Sequence, residues 1–179
     1  NDVLVLRNRD ANAMKIVPHD VDASQAFEEL AKTLGQRVQE PGVEFQTDNP
    51  YEVFLTRLDS DRVNQVLTNF VTNAVKYTHQ GHIRVGYHLE ERRGQQGIYA
   101  YCEDTGSGIP QDKHAAIFER FVKLNDYVQG TGLGLPICKA IVERCGGEIG
   151  LQSEVGQGST FWFWIPVNVR EVKEKPVAS

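Results

Sequence analysis

The chain reads as an α/β (α+β) two-layer sandwich, a mixed sheet packed on about three helices. Three observations predict it. Segments of helical and of alternating apolar spacing are interspersed along the chain. Several of the strand segments are separated by short turns, which makes neighbours antiparallel. With 40% hydrophobic residues in 179, the chain can bury one real core and is tight for two domains.

Each element has its own warrant. Asn1 to Ala13 sets Val3, Leu4 and Leu6 beside Arg7, Arg9 and Asp10, and reads as the end of a preceding helix or linker. The domain is expected over 14–168, with 169–179 a charged tail carrying Pro176. A short strand from Lys15 is expected to end at Pro18. Ala23, Ala26, Phe27, Leu30, Ala31, Leu34 and Val38 recur at helical spacing, predicting a helix from Asp22 to Val38 closed by Pro41-Gly42. Val43 to Thr47 and Val53 to Leu58 read as strands around Asp48-Asn49-Pro50. A second helix is expected from Asp61 to Thr78, with Ser60 or Asp59 as its cap. Ile83, Val85, Tyr87 and Leu89 alternate as a half-buried strand. Glu90 to Gly97 reads as a polar hairpin loop, and Ile98 to Glu103, apolar on both faces, as a central strand. Asp104 to Gly132 is long, glycine-containing and irregular, the kind of loop that is usually functional in a compact domain. A third helix from Gly132 to Arg144 is closed by Gly146-Gly147. Strands near Glu148 to Ser153 and Ser159 to Val167 follow; in the second, Trp162 and Trp164 alternate with Phe161, Phe163 and Ile165, which leaves their face open, with core packing the favoured role.

Composition excludes several classes of function. The net charge is −5, from 19 Lys plus Arg against 24 Asp plus Glu, which argues against non-specific nucleic-acid binding. No apolar run approaches the ~20 residues of a membrane span, so no membrane contact is expected of this domain. Asn1 opens mid-pattern, with nothing like a signal peptide. Cys102, Cys138 and Cys145 lack CxxC spacing and are expected reduced and mostly buried, as in a cytoplasmic compartment.

Three segments carry chemistry. On the second helix, Asn69, Asn73 and Lys76 fall within roughly 60° of one another at the edge of the apolar face. Such a row offers an amide oxygen to a metal and an ammonium to phosphate; by itself it is equally the pattern of two surface amides. Asp104-Thr105-Gly106-Ser107-Gly108-Ile109-Pro110 follows the central strand directly. A carboxylate there can accept from an exocyclic amine, and Gly106 and Gly108 would let the backbone approach a flat ring. Gly130-Thr131-Gly132-Leu133-Gly134-Leu135 opens the third helix, where free backbone N–H groups and the helix terminus favour phosphate. No Gly-Lys-Ser/Thr follows, so it is not a Walker A loop, and the glycine spacing is not that of a dinucleotide-binding turn.

In this order, the segments resemble the boxes of sensor histidine kinase ATP-binding domains, of the GHKL (Bergerat-fold) family. Asn69 to Thr78 is similar to the N box, Asp104 to Pro110 to the G1 box, Phe118-Glu119-Arg120-Phe121 to the F box and Gly130 to Leu135 to the G2 box. Gly158-Ser159-Thr160-Phe161 is similar to the final strand signature. The resemblance implies ATP and Mg2+ as cofactors and a long ATP lid over Gln111 to Gln129. It also assigns roles. Asp104 would bind the adenine amine, with Thr160 helping through water, and Gly106, Gly108 and Ile109 would shape that pocket. Tyr77 would pack on the base, with Phe118 in the F box. Asn73 would ligate magnesium. Lys76 and the backbone of Gly130, Thr131, Gly132, Leu133, Gly134 and Leu135 would hold phosphates. Arg120 would neutralise charge on the transferring group. Asn69 stands where ATP-hydrolysing relatives carry a water-activating Glu, and an amide cannot act as a base.

The resemblance also implies partners: a dimerisation domain carrying the phosphoacceptor histidine upstream, and a response regulator receiver domain. Of the five histidines only His19 precedes an acid, Asp20, and no Pro follows nearby, so the acceptor is expected elsewhere. Asn1 to Ala13 resembles the tail of a second dimerisation helix. Two other readings stay open, a degenerate nucleotide-binding sensor or scaffold and a serine kinase of the same fold.

Overall fold

The structure is a computed structural model, and it describes residues 15–119 and 134–177. Eight strands and three α-helices follow one another along these segments. Strand β1 (His19–Asp22) leads into helix α1 (Ala23–Gly35), then β2 (Val43–Asp48) and β3 (Tyr51–Leu58). Helix α2 (Ser60–Tyr77) is followed by β4 (Gly81–Arg92) and β5 (Gln95–Asp104). Two single 3-10 turns, Gln111–Lys113 and Ala116–Phe118, come next. Helix α3 (Gly134–Arg144), β6 (Glu148–Glu154), β7 (Gly158–Pro166) and β8 (Glu171–Glu174) complete the described chain.

The main sheet has the order β2-β4-β5-β7-β6; β2 runs parallel to β4, and the other pairs are antiparallel. The expected mixed sheet is therefore present, and a second, antiparallel sheet of β1-β3-β8 joins it. The helices pack on one face. Phe70 of α2 meets Phe161 and Phe163 of β7 at 5.4 and 6.2 Å. Phe27 of α1 meets Tyr87 of β4 at 5.0 Å. Ring pairs at such distances add to the area they bury.

Two aspartates start the helices. Asp22 caps α1 by accepting from Ser24 N–H, and its Oδ1 also accepts from Phe54 N–H, tying the cap to β3. Asp59 caps α2 by accepting from Arg62 N–H, and its other oxygen accepts from Val17 N–H. Both meet the N-terminal donors that a helix leaves unpaired.

The structure corrects four local expectations. The first strand begins after Pro18 rather than ending there. The segment Glu90 to Gly97 is a continuing hairpin: both strands extend to a two-residue turn at Arg93-Gly94, with φ of 52° and 78°. That is the left-handed pair a tight hairpin requires. The polar residues mark a sheet face that meets solvent, where Arg92 pairs with Glu90 and Glu148. Glu171 to Glu174, read as tail, pairs antiparallel with β3, with Val172 half-buried between exposed charges. Finally, Phe161, Phe163 and Ile165 face the helices, so Trp162 and Trp164 lie on the opposite face under Arg92. Trp164 is still only 2% exposed, and its indole N–H donates to the Glu90 carbonyl.

Candidate functional site

Helix α2 and strand β5 end side by side, and the polar chemistry gathers there. Asp104 is the last residue of β5, paired across the sheet with Ser159 at the start of β7. It is 6% exposed, and its Oδ1 accepts the Gly106 N–H at 2.8 Å. Burial raises its carboxyl above the ordinary value, while the Gly106 and Ser159 N–H groups offset part of that rise. A carboxylate kept where its charge is costly is the mark of a binding group.

Asn73, on α2, is also 6% exposed. Its Nδ2 donates to the Asn69 carbonyl one turn back at 3.0 Å, which orients the amide and leaves Oδ1 for another partner. Tyr77, the last residue of α2, has a buried hydroxyl that meets no hydrogen-bond partner. The loop after β5 is seated by its glycines. A Cβ on Gly106 would fall 2.5 Å from the Tyr77 carbonyl. Gly108 has φ of 76°, and a Cβ there would fall 2.2 Å from the Glu154 carbonyl. These glycines let the loop settle between α2 and the β6–β7 turn, and Gly108 also lines the cavity described next. The Ile109 N–H donates to Ser153 Oγ at 2.7 Å and holds the loop there.

Asn73, Tyr77, Asp104, Gly108, Ile109 and Leu135 line one cavity, open on one side, whose walls are mostly apolar, as those of small-molecule sites are. Leu135 comes from the first described turn of α3.

Other expected residues stand elsewhere. Thr160 is on the other face of β7 and lines a groove with His82 and Gln152 that Asp104 and Ser159 line too; Ser159 also lines the first cavity beside Asp104. The cause is the two-residue period of a strand, since Ser159 is the partner of Asp104. Phe118 sits behind the cavity wall, edge-on to Phe161 at 6.3 Å. Lys76 is exposed, one residue before Tyr77 and outside the cavity lining. Arg120, Gly130, Thr131, Gly132 and Leu133 lie outside the described residues, as does most of the Gln111 to Gln129 segment.

Asn69 does not line the cavity. Its Nδ2 donates to the Gly134 carbonyl at 3.2 Å and lies 3.5 Å from Cys138 Sγ, joining α2 to the first turn of α3. Burial pushes the Cys138 thiol up to about 12, so it stays protonated. All three cysteines are free, with Cys102 and Cys138 buried and Cys145 half-buried. Sequence reasoning also missed Phe161 and Lys113 as lining residues. Strand alternation from Asp104's partner would have found Ser159 and Phe161; no pattern marked Lys113.

Comparison with known proteins settles the family. The sequence profile of the histidine kinase-, DNA gyrase B- and HSP90-like ATPases matches residues 58–169. The chain belongs to that family. It is an ATP-binding domain of the sensor histidine kinase kind. It is 34% identical over 168 residues to the adaptive-response sensory kinase SasA of Synechococcus elongatus, covering 93% of this chain and 43% of SasA. It is 36% identical to the autoinducer 2 sensor kinase/phosphatase LuxQ of Vibrio vulnificus, covering 98% of this chain and 21% of LuxQ. The chain thus spans less than half the length of these relatives. Among solved structures, full-length ShkA in complex with AMPPNP superposes with a TM-score of 0.79 at 30% identity, over 93% of this chain and 35% of ShkA. The nucleotide-free catalytic domain of histidine kinase ThkA superposes with a TM-score of 0.67 at 27% identity, over 86% of this chain and 96% of that domain.

Proposed function

We propose that this ATP-binding domain holds Mg-ATP and presents its γ-phosphoryl group to a histidine on a separate dimerisation domain of the same parent protein. The phosphoryl group would then pass to a response regulator receiver domain, and the reaction would run in the cytoplasm. The observation that carries this reading is Asn69. It occupies the position of a hydrolase's base, yet it is an amide whose N–H group is spent on the α3 backbone. With an amide rather than a carboxylate at this position, the site is suited to an acceptor other than water.

The remaining roles follow from placement. Asp104 accepts from the adenine amine, with Ser159 beside it and Thr160 helping through water from the adjoining groove. Tyr77 packs on the base. Asn73 Oδ1 is a hard oxygen donor suited to magnesium, which keeps most of its waters and needs few protein ligands. Held through Asn73, magnesium would supply charge neutralisation for the phosphates. Lys76, the Gly130 to Leu135 backbone and Arg120 hold and neutralise the phosphates.

The acceptor must come from elsewhere. His19, His82 and His88 are on strands, and His79 and His114 in turns, so none stands on a long helix. The test mixes this chain, radiolabelled Mg-ATP and the parent's dimerisation domain. Acid-labile label on that domain supports a kinase. No label at high acceptor concentration, with ATP bound, favours a degenerate sensor. Transfer is slow in trans because a linker, which can supply millimolar effective concentration, is missing.

A further inference from the structure

Lys113 ends the 3-10 turn Gln111–Lys113, just after Pro110, and lines the same cavity as Asp104. The turn is well fixed. The Lys113 N–H donates to the Pro110 carbonyl at 2.9 Å, and the His114 ring lies 2.8 Å from the Ile109 carbonyl. The side chain is half-buried against a wall of Ile109, Pro110 and Phe161. Its ammonium forms no hydrogen bond or ion pair with any described residue. In particular, no ion pair joins it to Asp104, the carboxylate of the same cavity, so its charge does not serve to neutralise that floor.

A half-buried ammonium at the edge of a mostly apolar cavity, with no partner among the described residues, is available to an anionic part of the ligand. The ligand's base end is satisfied by Asp104, a hydrogen-bond acceptor. Its only anionic part is the phosphate chain. We infer that Lys113 contacts the phosphate chain of the bound nucleotide and so sets the preference of this site for nucleotide over nucleoside. The inference rests on the adenine-nucleotide reading of this cavity and adds a residue that none of the recognised boxes supplies.

The test is calorimetric titration of the wild-type chain and of Lys113→Gln, Lys113→Arg and Lys113→Glu with ADP, ATP and adenosine, at low and high salt. A partly solvated charge contact lies between an exposed pair and a buried one, so Lys113→Gln should weaken ADP and ATP by about 3- to 10-fold. Lys113→Glu should weaken them further and Lys113→Arg should hold them near wild type. Adenosine should bind all four alike, and the salt dependence of ADP binding should shrink in Lys113→Gln. Equal ADP affinity in wild type and Lys113→Gln overturns the inference, as does an equal loss for adenosine. A wild-type chain that binds none of the three overturns the nucleotide reading itself.

Discussion

Replacing Asp104 with asparagine removes one charge and turns one acceptor oxygen into a donor, at nearly constant volume. Asparagine can keep the bond from Gly106 N–H to Oδ1, so the loop after β5 stays seated. What it loses is the charged acceptor for the adenine amine, in a place only 6% exposed to water. A hydrogen bond to a charged group contributes about 1.5–3 kcal/mol, which is roughly 10- to 150-fold in Kd. Titration with ADP should show that loss. The preference for ATP over GTP should also narrow, since an amide can donate to a guanine carbonyl. Stability should move the other way. Burial raises the Asp104 carboxyl, so the folded domain binds that proton more tightly than the unfolded chain does. Its contribution to folding is fully present below the ordinary carboxyl value and is lost as pH rises through the raised one. Urea unfolding should therefore find Asp104→Asn gaining on wild type at neutral pH, with wild type recovering ground on acidification. Nucleotide affinity equal to wild type, in a folded variant, would refute the assignment.

Asn69→Asp removes the donor to the Gly134 carbonyl and sets a carboxylate against that carbonyl and the Cys138 thiol. It should destabilise the domain by about 1–3 kcal/mol, and hydrogen exchange should rise in the first turns of α3. Unchanged stability and exchange would remove Asn69 as the tie between α2 and α3. Ser159→Ala should weaken ADP binding several-fold and Thr160→Ala less, because only Ser159 lines the Asp104 cavity, while both line the adjoining groove. The reverse result in titration would put Thr160 ahead of Ser159 at the site.

Much of this was legible because amphipathic period and burial agree. The α2 face of Val66, Phe70 and Ala74, and the alternation of Ile83, Val85 and Tyr87, place both elements on the core they occupy. Asp104, at the end of a strand apolar on both faces, could be placed at the sheet's end from sequence alone. What failed were features decided by neighbours rather than by local pattern. Thr160 and Ser159 are equally polar, and only pairing with Asp104 says which one faces the helices. Trp162 and Trp164 read as core because the sequence does not show that Arg92 covers the outer sheet face. The strand Glu171–Glu174 is short and charged, and its bonds to β3 are invisible in composition. Arg93-Gly94 hid a tight turn inside a polar run. Lys113 belongs to no motif, and only the fold of its turn brings it to the cavity.

The central claim is that the site holds ATP without giving its γ-phosphate to water. It is tested most directly by following both events in one sample of the isolated chain with Mg-ATP and no acceptor. Titration should show ATP bound, while inorganic phosphate accumulates far more slowly than bound ATP could turn over and no label appears on the chain. Rapid phosphate release with ATP bound would contradict the account, since it would mean that a base other than residue 69 activates water in this site.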